Sequence, residues 1–258
     1  MEQTLATFFK QMPYKRVHAL LLDYDGTLAP FQDDPAQATP YSGIRSVLRR
    51  MQKRTQTRII LVSGRKAIEV KHLLGLDNIE IWGCHGMEHL PAAGTTEMLS
   101  LDAETRDALE GAREMFSQAG LAYFMEDKPT GHAVHWRGKP QLEAERIRDL
   151  AEDAWLRIPV NNRLRVLHFD GGLEVCAAIR NKGDVVRKIH DEIREPHSMA
   201  YLGDDVTDED AFQALKGIGL SILVRDVYRE TNADIWIRPP HDVLKFLERW
   251  IEACESRT

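Results

Sequence analysis

Short apolar runs that stop abruptly at a polar residue or a glycine constrain the fold of this chain more than any other feature of its sequence. Four such runs cover residues 17–22, 59–62, 79–82 and 199–202, and they stop before Asp23, Ser63, Gly83 and Gly203. β-prone runs of this length fit strands that are buried on both faces, as in a parallel sheet. Residues 41–52 and 65–74 carry apolar side chains at helical spacing. This alternation of strands and helices predicts an α/β fold with a Rossmann-like parallel sheet.

The middle of the chain has a different pattern. Residues 102–118 and 140–157 have helical spacing, and strand-like runs cover residues 121–127, 132–137, 164–169 and 173–178. An Asp-Gly-Gly turn between the last two runs is typical of a hairpin. The order α-β-β-α-β-β predicts an α+β unit with an antiparallel sheet. We therefore predict a core of residues 1–100 and 180–258 and an inserted cap of residues 101–179, a type of insertion that can act as a lid.

The composition of the chain indicates which classes of molecule it is expected to bind. The net charge of −6 among 258 residues does not favour nucleic-acid binding, although an anionic small substrate remains possible. The N-terminal region lacks the basic stretch and the long apolar run that are typical of a signal peptide, and its longest apolar run, residues 19–22, is too short for a membrane span. Three cysteines without a C-x-x-C motif suggest free thiols. We expect a cytoplasmic protein without a membrane partner, and the sequence leaves its oligomeric state open.

Polar residues at the carboxyl ends of parallel strands are candidate site residues by position. In the segment LLLDYDGTLAP, Asp23 and Asp25 lie in a loop after a strand and can point into one space, although a polar turn is the alternative. The hydroxyl of Ser63 can bind a phosphate oxygen, or it can cap the helix that follows. Lys182 offers a compact cation for phosphate, or it is a solvated surface lysine. The acidic segment GDDVTDEDAF, residues 203–212, again follows a strand.

These four segments, in this order, resemble the motifs of the haloacid dehalogenase superfamily of phosphohydrolases: DxD, Ser or Thr, Lys, and an acidic GDxxxD-type cluster. The resemblance implies that Asp23 is the nucleophile and forms an aspartyl-phosphate, and that Asp25 is the general acid and base. It implies phosphate binding by Ser63, Lys182 and the backbone of Gly26. It also implies a Mg²⁺ cofactor, with one oxygen of Asp23, the backbone carbonyl of Asp25 and the carboxylate of Asp204 as ligands.

The same resemblance divides the acidic segment. Asp208 matches the second acid of the motif and is expected to orient a metal-bound water or Lys182, and Asp205 is given a supporting role of the same kind. Thr207 is the predicted N-cap of a helix. Glu209 and Asp210 then lie in its first turn, where the helix dipole stabilises acidic side chains.

Longer strings resemble one family within this superfamily, the trehalose-6-phosphate phosphatases, with a cap of type C2. They are DYDGTLAP, VSGR, HGME, MEDKPTGHAVHWR and GDDVTDEDAF. The resemblance implies a sugar phosphate as substrate. It places sugar contacts on five cap residues: Glu126, Lys128, His135, Arg137 and Glu174. His85 and Glu88 are further candidates, although His85 can equally be a loop histidine.

One stretch departs from the family pattern. In EVCAAIRNKGD the proline of the family pattern is absent, and Cys176 and Ala177 stand where the family often has polar or basic residues. This departure keeps open a phosphatase for another glycosyl phosphate, such as mannosyl-3-phosphoglycerate or glucosylglycerol phosphate. A non-catalytic sugar-phosphate sensor is a third hypothesis, which the presence of Asp23, Asp25, Lys182 and Asp204 argues against.

Overall fold

The computed structural model describes residues 2–158 and 162–256. Its helices are α1 (Glu2–Gln11), α2 (Ile44–Arg54), α3 (Ala67–Leu74), α4 (Ala103–Gln118), α5 (Gln141–Trp155), α6 (Lys182–Glu192), α7 (Glu209–Ala214) and α8 (His241–Glu255). Its strands are β1 (Val17–Leu22), β2 (Arg58–Val62), β3 (Glu80–Gly83), β4 (Glu88–Leu90), β5 (Glu97–Met98), β6 (Met125–Lys128), β7 (Gly131–His135), β8 (Leu164–Phe169), β9 (Gly172–Ala177), β10 (His197–Gly203), β11 (Leu220–Val224) and β12 (Ile235–Ile237).

The chain divides into two compact units, which we call the core and the cap. The core comprises Met1–Glu97 and Asn181–Thr258, and the cap comprises Met98–Arg180. Neither unit has, within the residues described, a helix that is both long enough and apolar enough to cross a membrane.

The main sheet has the strand order β12-β11-β10-β1-β2-β3-β4-β5 in the described part of the chain. Its strands β12 to β3 in that order pair in parallel, and β4 runs antiparallel to β3. Alternate residues of the central strand β1 enter two separate apolar clusters: Leu20 and Leu22 pack with α2, α3 and α8, whereas Ala19 and Leu21 pack with α6 and α7. Helices therefore cover both faces, and the predicted Rossmann-like fold class is confirmed.

The cap contains an antiparallel sheet with the strand order β6-β7-β9-β8. Helices α4 and α5 lie against one of its faces, where Arg113 contacts Asp127 and Glu152 contacts His168. Two predicted strand boundaries are wrong. The first strand begins only at Met125, because residues 122–124 form a 3-10 turn, and β7 ends at His135, two residues before Arg137. The predicted hairpin turn is confirmed, with Asp170 and Gly171 between β8 and β9 and a φ of +81° at Gly171.

Candidate active site

The pairing of β1 with β10 places two acidic residues side by side at the carboxyl edge of the main sheet. Leu22 pairs with Leu202, and the N–H of Asp23 donates to the carbonyl of Leu202 at 2.8 Å. Asp204 follows β10 directly, so its side chain lies near Asp23. The carboxyl, hydroxyl and ammonium groups predicted for the core site all come from strand ends or from a helix start.

Lys182 is the first residue of α6. The side chain of Asn181 caps this helix by accepting from the N–H of Asp184 at 2.9 Å. The Lys182 side chain is buried, and its Nζ donates to Asp23 Oδ1 at 2.9 Å and to Asp208 Oδ1 at 2.8 Å. Burial lowers the pKa of Lys182, but the carboxylates of Asp208 and Asp23 outweigh it and raise the pKa, so the ammonium stays charged. The alternative of a solvated surface lysine is therefore excluded.

Asp208 is completely buried and accepts four hydrogen bonds. Its Oδ1 accepts from Lys182 and from the hydroxyl of Tyr201 at 2.6 Å. Its Oδ2 accepts from the N–H groups of Asp204 and Asp205, each at 3.0 Å. These donors occupy both oxygens, so Asp208 serves to hold Lys182 and the backbone of the acidic segment.

Asp23 and Asp204 carry the carboxylates that remain available. One oxygen from each of Asp23, Asp204 and Asp208 lies within 4.8 Å of the others, and all three residues are buried. Burial raises the pKa of Asp23 to about 7 and, together with the charges of Asp23 and Asp208, raises the pKa of Asp204 well above its usual range. The ionised forms of Asp23 and Asp204 are therefore unfavourable in this site unless a further cation stabilises their charges. A set of buried carboxylate oxygens of this kind fits a hard divalent cation such as Mg²⁺.

Gly26 packs directly against Asp204. A Cβ at Gly26 would lie 2.2 Å from Asp204 Oδ2, and its φ is +71°, so a side chain is excluded here both by space and by backbone conformation. The N–H of Gly26, proposed from the sequence to bind phosphate, donates to the carbonyl of Ala29 at 2.8 Å. The visible contribution of Gly26 is therefore the space it leaves for Asp204.

Arg65, which sequence reasoning did not select, binds Asp25 in a bidentate geometry. Its Nε donates to Oδ2 at 2.6 Å and its Nη2 donates to Oδ1 at 2.8 Å. Its Nη1 donates to the carbonyl of Pro35 at 2.8 Å, and its N–H donates to Ser63 Oγ at 3.2 Å. The only signal for this role in the sequence is a basic residue two positions after the serine.

Ser63 is buried at the end of β2 and does not cap α3. The N-cap of α3 is Lys66, and the N–H of Ala67 donates to Glu88 Oε2 at 2.5 Å. Glu88 thus anchors the helix start. His85 is held close to the serine: its N–H donates to the Ser63 carbonyl at 2.9 Å, and its ring lies 2.7 Å from where a Cβ at Gly64 would be.

Two expectations for the acidic segment are corrected. Thr207 is not a helix cap, because Asp205 caps a 3-10 turn of residues 206–208 through its side chain, and α7 begins only at Glu209. Glu209 is more than a helix-start acid. It accepts hydrogen bonds from three residues of the β11–β12 loop: Arg229, Thr231 and Asn232.

Within the cap, four of the five predicted sugar-contacting residues lie on one face of the sheet. The register places Glu126 opposite Ala133 and Ala133 opposite Glu174. Lys128 Nζ donates to Glu174 Oε2 at 2.6 Å, and Glu126 Oε2 lies 2.9 Å from His135 Nε2. Burial raises the pKa of Glu126, but His135 and Lys128 outweigh it and lower the pKa.

Arg137 does not belong to this row. It lies beyond the end of β7, donates to the carbonyl of Asp170 and packs on Gly171 in the hairpin turn. Two residues that sequence reasoning missed share the face of Glu174. Arg165 pairs in register with Cys176, and Phe169 lies 5.5 Å from the ring of His135. Strand alternation could have indicated both, once the register was known.

The parallel main sheet and the separate antiparallel sheet give this chain the fold of haloacid dehalogenase-like hydrolases, one of which, from B. subtilis, matches with a TM-score of 0.62 at 14% identity over 90% of this chain and 99% of that one. A model of the family described as Trehalose-phosphatase matches residues 21–235. The chain belongs to the trehalose-phosphatase family.

Individual proteins show the same relationship. The chain is 30% identical to the probable trehalose-phosphate phosphatase G of Arabidopsis thaliana, over 93% of this chain and 71% of that protein. It is 31% identical to the trehalose-phosphate phosphatase of Mycobacterium ulcerans, over 90% of this chain but only 60% of that protein. The C-terminal domain of C. albicans trehalose-6-phosphate phosphatase has a similar fold, with a TM-score of 0.83 at 21% identity over 97% of this chain and 96% of that one.

Proposed function

We propose that this chain hydrolyses trehalose 6-phosphate to trehalose and phosphate, with Mg²⁺ as cofactor and an aspartyl-phosphate intermediate. The observation that carries the proposal is the position of Asp23, whose Oδ1 accepts from the buried Lys182 while Asp204 lies beside it. The names of the relatives support the choice of substrate. Within the described residues, Cys84, Cys176 and Cys254 form no disulfide bond, which fits the cytoplasmic location that we propose.

The site residues divide the chemistry between them. Asp23 attacks phosphorus, the bond from phosphorus to the sugar oxygen breaks, and the leaving alkoxide takes a proton carried by Asp25. Water then attacks the phosphorus of the aspartyl-phosphate and gives its proton to Asp25, which releases phosphate and restores Asp23. Lys182 and Ser63 hold the phosphoryl group throughout.

The metal would be held by three oxygens: one from Asp23, the backbone carbonyl of Asp25 and one from Asp204. Within the described residues, no hydrogen-bond donor reaches the Asp25 carbonyl or the Asp204 carboxylate, so these oxygens remain available. When bound, Mg²⁺ supplies positive charge that offsets the repulsion between a carboxylate and a phosphate. Asp208 and Asp205 organise the backbone around it.

For the sugar, we propose contacts from Glu126, Lys128, His135, Arg137 and Glu174. Carboxylates accept hydrogen bonds from hydroxyl groups and lysine donates them, so such a set discriminates among sugars. A phosphatase for another glycosyl phosphate is the second candidate. It is favoured by Cys176, which is buried beside Glu174 in β9 and whose thiol pKa burial raises to about 12.

A substrate panel tests both candidates. Phosphate release is measured with trehalose 6-phosphate, glucose 6-phosphate, mannosyl-3-phosphoglycerate and glucosylglycerol phosphate, each with Mg²⁺ and with EDTA. Asp23→Asn must abolish both turnover and the acid-stable phosphoprotein trapped by rapid quench. Full turnover in EDTA, or by the Asp23 variant, excludes the mechanism, whereas a different best substrate excludes only the trehalose assignment.

A further inference from the structure

Side chains of the loop between β11 and β12 form hydrogen bonds with the backbone of the acidic segment. This return loop, residues 225–234, leaves the same edge of the sheet as the acidic segment, because β10 and β11 are parallel neighbours. Arg225 Nη1 donates to the carbonyl of Asp204 at 3.3 Å, and Arg229 Nη2 donates to the carbonyl of Asp205 at 2.8 Å. Two arginines thus hold the two peptide carbonyls that follow β10.

Glu209 fixes the return loop in turn. Its Oε1 accepts from Arg229 Nη1 at 2.5 Å and from the hydroxyl of Thr231 at 2.8 Å. Its Oε2 accepts from the N–H of Asn232 at 2.7 Å and from the side-chain amide of Asn232 at 3.0 Å. If Glu209 only stabilised the start of α7, its negative charge would be sufficient. Four directed hydrogen bonds to the return loop instead fix the position of its carboxylate and of the loop.

The charge state of Glu209 agrees with this arrangement. Burial raises the pKa of Glu209, but hydrogen bonds from Asn232, Thr231 and Arg229 outweigh it and lower the pKa. The carboxylate is therefore ionised at neutral pH and pairs with Arg229, and both side chains are about one-fifth exposed.

We propose that Glu209 and Arg229 are positioning residues for the metal-binding carboxylate of Asp204. The inference rests on the proposed metal site. The N–H groups of Asp204 and Asp205 are held by Asp208, and the carbonyl of Asp205 is held by Arg229. The carbonyl of Asp205 belongs to the Asp205–Val206 peptide, which directly follows the Asp204–Asp205 peptide whose carbonyl Arg225 holds. Loosening Arg229 therefore frees the peptide next to Asp204–Asp205, and a carboxylate ligand that shifts by a fraction of an ångström binds its metal less tightly.

The test measures metal binding directly. Metal-free wild type, Glu209→Gln, Arg229→Met and the double variant are titrated with Mg²⁺ by calorimetry and with Mn²⁺ by electron paramagnetic resonance. Loss of a residue that supports a ligand typically weakens metal affinity by about 10–100-fold, and we expect about 10-fold for each single variant. The double variant should be no weaker than about the worse single variant, because the two residues act as one unit. At saturating Mg²⁺, kcat should stay within about threefold of wild type.

Glu230→Gln is the matched control, since Glu230 is an exposed acid next to Arg229 in the return loop. An equal loss of affinity in Glu230→Gln and Glu209→Gln would mean that charge alone matters, and it would overturn the proposal. Unchanged metal affinity in Glu209→Gln and Arg229→Met would also overturn it.

A separate outcome tests the metal site itself. If the wild type binds no metal, or if Asp204→Asn binds metal as tightly as the wild type, the proposed metal site is wrong. If Arg229→Met does not fold, Arg229→Lys replaces it in the metal titration. Lysine keeps the positive charge but cannot donate to Glu209 and to the carbonyl of Asp205 with two guanidinium nitrogens, so the same loss of metal affinity is expected.

Discussion

Lys182 and Asp208 form an ion pair, 2.8 Å between Nζ and Oδ1, whose side chains are 3% and 0% exposed. Charges buried this deeply persist only where hydrogen bonds satisfy them. Asp208 meets that condition with four donors, and Lys182 meets it by binding Asp23 as well. The pair therefore links the nucleophile to the backbone of the acidic segment.

We expect Asp208→Asn to destabilise the protein by about 3 kcal/mol, because breaking a buried ion pair leaves an uncompensated charge. Urea denaturation in EDTA measures this change in the free energy of unfolding. Asp205→Asn is the control, since asparagine caps as well as aspartate and should cost less than about 0.5 kcal/mol. A similar, small effect of both variants would contradict the structural role given to Asp208.

The stability of the metal-free protein should fall as pH rises from about 4 to about 7. Burial raises the pKa of Asp23 to about 7, above its ordinary value of 3.8 in an unfolded chain. A carboxyl group with a raised pKa contributes stability that is fully present below pH 4 and is lost as pH rises through 7. The contribution of Asp23 falls by at most about 1.4 kcal/mol per pH unit in this window.

Urea unfolding at pH 5.5, 6.5 and 7.5 checks this dependence. Asp23→Asn removes the titrating group, so the slope in EDTA should flatten in this variant. Adding Mg²⁺ should stabilise the wild type most at the highest pH, because the metal binds the ionised form. A wild-type slope identical to that of Asp23→Asn would exclude Asp23 as its origin.

Local sequence predicted the strand ends well, because the apolar runs that precede Asp23 and Ser63 are long enough to specify buried strands. Local sequence did not predict features that depend on contacts with a segment far away in the chain. Glu209 was interpreted only as an acid at a helix start, because its hydrogen-bond donors lie 20 to 23 residues away in the return loop. The predicted strand ran on to Arg137, but β7 ends at His135, which pairs with Gly172 of the distant strand β9.

Arg65 should matter most for substrates whose leaving group needs a proton. Arg65 binds both oxygens of Asp25, so Arg65→Met frees the general acid to rotate. General acid catalysis contributes about 100-fold or more to expulsion of an alkoxide, whereas nitrophenolate leaves without a proton. We expect the first turnover of trehalose 6-phosphate to slow about 10–100-fold, while the burst of nitrophenolate from p-nitrophenyl phosphate keeps nearly its wild-type rate.

Stopped-flow and rapid-quench measurements of the first turnover separate the two substrates. Arg65→Lys keeps the charge without the bidentate geometry and should resemble Arg65→Met. An equal slowing of both substrates would show that Arg65 acts on the phosphoryl group, and not through Asp25.

We expect the face of the cap sheet that carries Glu174 to contribute to affinity for the sugar and not to the chemical step at phosphorus. The Lys128–Glu174 pair is almost fully buried, at 10% and 3% side-chain exposure, so its donors and acceptors are held in place. Losing one charged hydrogen bond costs about 1.5–3 kcal/mol, or about 10–150-fold in affinity. Glu174→Gln should therefore raise KM for trehalose 6-phosphate by that factor and leave kcat/KM for p-nitrophenyl phosphate unchanged.

Asp127→Asn is the matched control for this prediction. Asp127 lies between Glu126 and Lys128 on β6, but its side chain points to the opposite face and contacts His132 and Arg113. Because alternation along a strand separates the two faces, this variant should keep the wild-type KM for the sugar phosphate. If Asp127→Asn and Glu174→Gln raised KM equally, the effect would come from the stability of the cap sheet and not from contacts with the sugar.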